Sequence, residues 1–370
     1  MLRLLHLGDL HLDSPFAAFA PHEAAARRDR QYEALETLLR AGVDRGAQLV
    51  LIAGDCFDTP TPRTEAVVRF FGILGALPVP VVIAPGNHDY YTPAGVWDSP
   101  YRPQNVAVFT ESTLSVLHFP ELDAAVFGYA FLAESADAPD IGRAQMAGEA
   151  EISILLAHAD LTSPLSVYAP ISKGQLEQSG YTYAALGHIH KPQPVKKYGE
   201  TTVAYSGFFA GRGFDEPGHG QARFVEIEGG TVREIVLEST ADTFEICTLD
   251  CTGAQNGEEL RRLVSTFLEQ EVFAASSAVR LILEGDVGLG CHVDIAQLAR
   301  AGAGLALFEV IDRTLPLYDA SYLEKAPTVQ GAFYRALLPR LQSADAGERE
   351  LAAEALRLGL SALAGREVQT

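Results

Sequence analysis

Five apolar runs in the first half of the chain are each followed by residues of the kinds that bind metal ions or transfer protons. The runs cover residues 2–7, 49–53, 79–84, 152–157 and 183–186. The residues that follow them are Asp9 and His11, Asp55, Asn87 and His88, His158, and His188 and His190. Continuous apolar runs are typical of strands buried on both faces. Since open α/β sheets carry their sites at the carboxyl ends of the strands, the pattern predicts one shared site.

Helices and further strands are predicted around these runs. Helices are expected at 24–44, where Gly46 lies just past the end, and at 63–77. Further short β-like runs cover residues 106–109, 114–119, 124–127, 195–198, 202–205, 223–227 and 232–237. Two groups of strands flanked by helices predict a four-layer α/β/β/α sandwich over residues 1–240.

The pattern changes near residue 240. A strand at 244–249, a helix at 257–271, a strand at 279–284, a helix at 293–301 and a strand at 306–311 predict a small α+β domain over 241–320. Residues 321–370 form a predicted C-terminal helical segment, with amphipathic helices at 330–342 and 346–363. Their apolar faces are expected to dock on the rest of the chain or on another protein.

Composition is that of a globular protein, with 48% hydrophobic and 21% charged residues. Its apolar runs are all shorter than the roughly 20 residues that cross a bilayer, which predicts no membrane association. The amino terminus enters a strand without the features of a secretory signal, so we expect a cytoplasmic protein. The four scattered cysteines imply no disulfide framework.

The charge balance restricts the partners. Lys and Arg total 28 against 48 Asp and Glu, a net charge of −20. Such a charge opposes long-range attraction of a polyanion such as DNA. Either the substrate is small, or a partner supplies a positive surface, or basic groups near the site suffice.

The residues after the five runs match the ligand types of a two-metal site. With two divalent ions, two ionised Asp and neutral His and Asn, a charge of +2 remains, which suits a phosphoryl transition state. Asp55 is the expected bridge, because a carboxylate offers two oxygens. We assign Asp9, His11 and His190 to one ion, and the remaining residues, Asn87, His158 and His188, to the other.

Two neighbouring residues are expected to transfer protons. His88 is the candidate general acid for the leaving oxygen, and Asp89 is expected to hold its ring. Mixed imidazole, carboxylate and amide ligands favour manganese, iron or zinc over calcium. Each motif alone also occurs by chance as turn or cap residues, or as a hydrogen-bonded core histidine. Five motifs in order, each after an apolar run, favour the metal site.

This series of motifs resembles the calcineurin-like metallophosphoesterases over residues 1 to about 240. The series is GDLH at 8–11, GD at 54–55, GNHD at 86–89, His158 and GHIH at 187–190. Within the family, DLHLD at 9–13 and GDCFD at 54–58 resemble SbcD-type DNA repair exonucleases. The opening GDLHLDSPF at 8–16 and GRGFDEPG at 211–218 are most similar to the bacterial YhaO-type branch.

The resemblance implies a manganese-dependent nuclease. The seven assigned ligands match the family's manganese ligands, and His88 matches its catalytic histidine. It further implies a homodimer that acts on DNA with an SbcC-like coiled-coil ATPase docked on the helices from Gln330 onward, and a capping domain that shapes the DNA entrance. Arg212 is the candidate substrate-binding residue. Some members carry histidine where this chain has Asp58, and segment 206–220 departs from the SbcD pattern.

Three functions remain open at this point. The first is a metal-dependent nuclease that trims DNA ends in repair. The second is a phosphodiesterase or phosphatase for a small nucleotide or phosphate ester, which the net charge of −20 favours. The third is a non-catalytic subunit with a structural metal site, which the presence of His88 disfavours.

Overall fold

Residues 1–142, 151–288, 291, 293–363 and 365 are described by a computed structural model of the chain. It divides into two units, Met1–Phe244 and Glu245–Thr370. The further division of the second unit into a capping domain and a helical segment stays a prediction.

Twelve strands and three α-helices are described in the first unit. The strands are β1 (Leu2–Leu7), β2 (Leu49–Ile52), β3 (Val81–Ile83), β4 (Val106–Val108), β5 (Ser115–Phe119), β6 (Ala124–Gly128), β7 (Ile152–His158), β8 (Tyr183–Gly187), β9 (Lys196–Tyr198), β10 (Thr201–Tyr205), β11 (Gln221–Glu228) and β12 (Thr231–Glu238). The helices are α1 (Pro21–Asp44), α2 (Thr64–Gly75) and α3 (Lys173–Ser179). The helix predicted from residue 24 begins at Pro21, since proline is favoured in the first turn.

These strands form two six-stranded sheets. The first has the order β12-β11-β1-β2-β3-β4, and the second has the order β5-β6-β7-β8-β10-β9. Strands β1 to β4 are parallel, as are β6, β7, β8 and β10. The carboxyl ends of the motif-bearing strands therefore lie at one edge of each sheet.

The central strands of each sheet are buried on both faces, which explains the continuous apolar runs. In β1, Leu5 and Leu7 pack in a core with α1 and α2, whereas Leu2 and Leu4 pack in a core with residues of β7 and β8. A third core joins the outer face of the second sheet to Leu176 of α3. The layers are thus α/β/β/α, and the predicted four-layer sandwich is confirmed.

The second unit has a three-stranded sheet, a short strand pair and five helices among its described residues. Its strands are β13 (Phe244–Asp250), β14 (Ala278–Glu284), β15 (Asp286–Gly288), β16 (Leu307–Asp312) and β17 (Leu315–Leu317). Its helices are α4 (Gly257–Gln270), α5 (Ile295–Ala299), α6 (Ala320–Lys325), α7 (Val329–Leu341) and α8 (Ala346–Leu363). The helix predicted at 293–301 is shorter, because a 3-10 turn replaces it from Arg300 to Gly302.

Helices α6, α7 and α8 share a small core. It contains Leu323, Tyr334, Leu356 and Leu360, each less than a tenth exposed. In the part of the chain that the structure describes, no helix combines the length and apolar character needed to traverse a bilayer.

Candidate metal centre

The loops after β1 and β2 run side by side and direct their polar side chains into one crevice. The Asp9 amide donates to the Gly54 carbonyl at 3.0 Å, and the His11 amide donates to the Asp55 carbonyl at 2.9 Å. Asp9, His11 and Asp55 have φ angles of 51°, 42° and 49°. Non-glycine residues rarely adopt this left-handed conformation, and it is concentrated at functional sites.

Four side chains from three loops form the first ligand group. The ligand atoms of Asp9, His11, Asp55 and His190 all lie within 4.8 Å of one another. His11 Nε2 is 3.2 Å from His190 Nε2, and His190 Nε2 is 3.8 Å from Asp9 Oδ1. Bonds of about 2.1 Å to one ion place neighbouring ligand atoms about 3 to 3.5 Å apart. The distance between the two histidine nitrogens falls in this range, and the distance from His190 Nε2 to Asp9 Oδ1 is slightly longer.

A second ligand group lies on the other side of Asp55. His158 Nε2 is 2.9 Å from Asn87 Oδ1 and 3.3 Å from Asp55 Oδ2. The same Asp55 oxygen is 3.8 Å from His11 Nε2 in the first group. The His188 ring centroid is 5.2 Å from that of His158. Asp55 therefore lies between the two groups, and the structure brings together all seven residues predicted as ligands.

The two histidines of the second group have different surroundings. His158 Nδ1 donates to the Ala53 carbonyl at 2.9 Å, which leaves Nε2 facing the crevice. Burial, and then the charge of His158, lower the pKa of His188 to about 4, so this imidazole is neutral. A neutral imidazole is the form that binds metal ions.

The carboxylates are held in different charge environments. Burial opposes ionisation of Asp55, but His158, His11 and His88 outweigh it and keep its pKa well below the ordinary value. In Asp9 burial dominates and raises the pKa. In the absence of an ion, burial of His158 is outweighed by Asp55 and Asp9, which raise its pKa to about 9. Two buried carboxylates thus require cationic neighbours, and divalent ions meet that requirement.

His88 lies at the solvent side of the site. Its side chain is exposed, its amide donates to Asp55 Oδ1 at 2.9 Å, and its ring centroid is 5.1 Å from that of His11. Its ring is therefore next to the first ligand group and accessible to a substrate.

Asp89 does not hold the His88 ring, and that expectation was wrong. Its carboxylate is buried and accepts hydrogen bonds from the amides of Gly86 at 2.8 Å, Asp55 at 3.2 Å and Cys56 at 2.6 Å. Asp89 therefore joins the loops beneath the site, whereas His88 faces solvent.

Arg212 lies beside the first ligand group but is bound to carboxylates. Its Nη1 is 3.3 Å from Asp58 Oδ1, and its Nη2 is 2.7 Å from Glu216 Oε1. These carboxylates in turn contact histidine Nδ1 atoms, Asp58 that of His11 and Glu216 that of His190, each at 2.5 Å. Sequence reasoning missed Glu216, which lies 26 residues from His190; the GRGFDEPG segment was its only signal.

Comparison with known proteins identifies the family. The profile of the calcineurin-like phosphoesterases matches residues 2–192. The chain belongs to this family and is a metal-dependent phosphodiesterase, a hydrolase. The family uses a binuclear divalent metal site, and the Asp and His cluster described above is the corresponding place in this chain.

Three individual relatives share less than 30% of their aligned residues with this chain. The uncharacterized metallophosphoesterase YhaO of Bacillus subtilis is 27% identical over 296 residues, which cover 77% of this chain and 72% of that protein. The DNA double-strand break repair protein Mre11 of Aeropyrum pernix is 29% identical, over 56% of this chain and 53% of its own length. A subunit of the nuclease SbcCD of Bacillus subtilis is 25% identical, over 64% of this chain and 70% of that protein. The chain thus spans between about half and three quarters of these relatives.

Proposed function

We propose that this phosphodiesterase is a DNA nuclease of DNA repair that hydrolyses phosphodiester bonds with two divalent ions. The convergence of Asp9, His11, Asp55 and His190 within 4.8 Å is the observation that carries the proposal. DNA as the substrate is supported by the relatives named for double-strand break repair and as part of a nuclease.

The ligands divide into two sets around a shared carboxylate. Asp9, His11 and His190 would hold the first ion, Asn87, His158 and His188 would hold the second, and Asp55 would be a ligand of both. Manganese is the proposed metal, with iron and zinc as alternatives, because the set mixes imidazole, carboxylate and amide donors. When bound, the ions supply Lewis acidity at the phosphoryl group and lower the pKa of water.

His88 is the proposed general acid. It is exposed beside the first ligand group, and its backbone is fixed by the hydrogen bond to Asp55 Oδ1 at 2.9 Å. A proton on its ring can pass to the leaving oxygen of a substrate bound in the crevice. Asp89 contributes by positioning the loops that carry Asp55 and His88, and not by contact with the substrate.

The net charge of the chain and the name of one relative support a partner protein. A net charge of −20 opposes autonomous capture of DNA, and a basic partner would correct this. One relative is part of the nuclease SbcCD, which supports an SbcC-like coiled-coil ATPase as that partner. We propose a cytoplasmic homodimer that works with such an ATPase.

A second candidate function is hydrolysis of a small nucleotide or phosphodiester. The same net charge of −20 favours it, since a small substrate needs little long-range attraction. It requires the same ligands and the same proton donor, so only the substrate distinguishes the two functions.

Hydrolysis by the purified protein tests both candidates. With manganese, we expect cleavage of bis(p-nitrophenyl) phosphate and of single-stranded DNA. Asp55→Asn and His88→Ala should each lower both activities by orders of magnitude, whereas the controls Asp29→Asn and His118→Ala, at exposed positions, should not. Cleavage of the ester without cleavage of DNA, even beside the ATPase, would establish the second candidate. Activity that survives both site substitutions would exclude this site.

A further inference from the structure

We infer that Asp58, Arg212 and Glu216 form a network that positions His11 and His190 to bind one metal ion, so that all three are positioning residues. The inference rests on the proposed two-metal function and names residues for it beyond the seven ligands. Arg212, first expected to bind substrate, takes a different role here.

The two histidines are oriented in the same way. Asp58 Oδ1 contacts His11 Nδ1 and Glu216 Oε1 contacts His190 Nδ1, each at 2.5 Å. A carboxylate accepts only, so each Nδ1 carries the proton and each Nε2 presents a lone pair. The two Nε2 atoms are 3.2 Å apart, side by side at the first ligand group. Carboxylates that accept from metal-binding histidines orient the ring and increase its basicity.

Arg212 joins the two carboxylates. Its Nη1 reaches Asp58 at 3.3 Å, and its Nη2 and Nε reach the two oxygens of Glu216 at 2.7 and 3.2 Å. The Arg212 amide also donates to Glu216 Oε2 at 3.0 Å. One cation thus balances part of the charge of two carboxylates and fixes both in place.

The network is anchored on a buried carboxylate, whereas the side chains of Arg212 and Asp58 are 26% and 30% exposed. Glu216 is 4% exposed. Ser14 donates to Asp58 Oδ2 at 2.6 Å and to the His11 carbonyl at 2.8 Å, so the loop after β1 is tied to the same carboxylate. Burying the Glu216 carboxylate is costly without an ionic partner, and Arg212 supplies one.

The second ligand group differs. His158 donates its Nδ1 proton to the neutral Ala53 carbonyl. The carboxylate network therefore acts on the first ion. Removal of the network should weaken the binding of one of the two metal ions and leave the binding of the other unchanged.

Manganese binding by the full chain tests the inference. Free Mn²⁺ is followed by EPR during titration of wild type and of the isosteric variants Asp58→Asn and Glu216→Gln. We expect one binding event to weaken about 10- to 100-fold in each variant, as for other residues that support metal ligands. Arg212→Gln should weaken the same event, and Arg212→Lys should weaken it less. The control is Arg63→Gln, which breaks the pair with Asp13 and leaves the network intact.

The dependence of hydrolysis on manganese concentration is a second test of the inference. The manganese concentration for half-maximal hydrolysis should rise in the variants, while kcat at saturating manganese stays within a few-fold of wild type. A mainly structural defect would instead lower kcat at every metal concentration and lower the melting temperature of the metal-free protein. Because Asp58 and Glu216 are tested separately, a variant that fails to fold leaves the other as the measurement.

Three results would overturn the inference. They are unchanged manganese affinity in Asp58→Asn and Glu216→Gln, an equal loss in Arg63→Gln, or an Arg212→Gln variant in which only the KM for substrate changes. Failure of the proposed function would look different. Wild type would then bind two Mn²⁺ but cleave neither the ester nor DNA, and the variants would still bind manganese more weakly than wild type.

Discussion

Gly86 lies where the loop after β3 passes closest to Asp55. A Cβ atom there would overlap Asp55 Oδ1 and lie 2.7 Å from the Asp55 amide nitrogen. To relieve the overlap, the loop backbone or the carboxylate shared by both ligand groups must shift. We expect Gly86→Ala to lower kcat/KM for the chromogenic diester by about 100-fold, the usual effect of a displacement near 1 Å. The control Gly72→Ala, whose Cβ would meet no atom within 4 Å, should keep full activity.

His6 makes stability depend on pH. It is fully buried and pairs with Tyr183 Oη at 2.9 Å; burial, and then the charge of Arg223, lower its pKa from 6.5 to about 3. Between these values the unfolded chain binds the additional proton, so acidification removes stability, by at most about 1.4 kcal/mol per pH unit for this group.

Replacement of His6 by glutamine should abolish that contribution. We expect the free energy of unfolding of wild type, relative to His6→Gln, to shrink as the pH falls from 7 to 5 in urea titrations. His118→Gln, at an exposed position, should leave the difference from wild type constant. A wild-type advantage that grows on acidification would contradict the buried neutral histidine.

At the scale of elements, Asp89 joins the loops after β2 and β3. Its two oxygens accept from the amides of Asp55, Cys56 and Gly86. In Asp89→Asn, an amide NH₂ must face these N–H donors, so we expect a loss of about 1.5 to 3 kcal/mol in the free energy of unfolding without metal. Asp98→Asn, at an exposed position, should stay within about 0.5 kcal/mol of wild type. Equal stability of the two variants in urea titrations would show that the Asp89 bonds contribute little.

The sequence predicts those elements that carry a continuous apolar run or a helical period. Strands β7 and β8 are continuous apolar runs, and the amphipathic α8 was predicted with its observed bounds. Strands β15 and β17 have three residues each, too few to show a period, and the seven-residue α3 was also missed.

The sequence predicted the proposed metal ligands of the site but not the residues that support them. The seven expected ligands meet because each follows a strand whose parallel neighbours end at the same edge. The roles of Glu216 and Asp89 were not predictable, since neither a hydrogen bond across 26 residues nor one to a neighbouring loop shows in the order of residues. Adjacency of His88 and Asp89 suggested a contact, but the Asp89 carboxylate accepts hydrogen bonds from backbone amides instead.

On the scale of the whole molecule, charge decides how substrate arrives. The net charge is −20, and the arginines described near the site are already paired, Arg28 and Arg63 with Asp13 and Arg212 with Asp58. Most DNA-binding proteins lose affinity steeply with salt, because their free cations replace counterions on the phosphates. This chain instead presents a repulsive long-range field to DNA.

We therefore expect kcat/KM for single-stranded DNA to rise several-fold as ionic strength increases from 0.01 to 0.15 M, because the Debye length falls from about 30 to about 8 Å and screens the repulsion. The chromogenic diester carries one charge, so its kcat/KM should change less than about twofold. Initial rates at fixed manganese measure both. A steep fall with salt for DNA would show instead that a local basic surface captures the strand. Addition of the ATPase should reverse the sign of the dependence, since its cations would then make contacts with the phosphates.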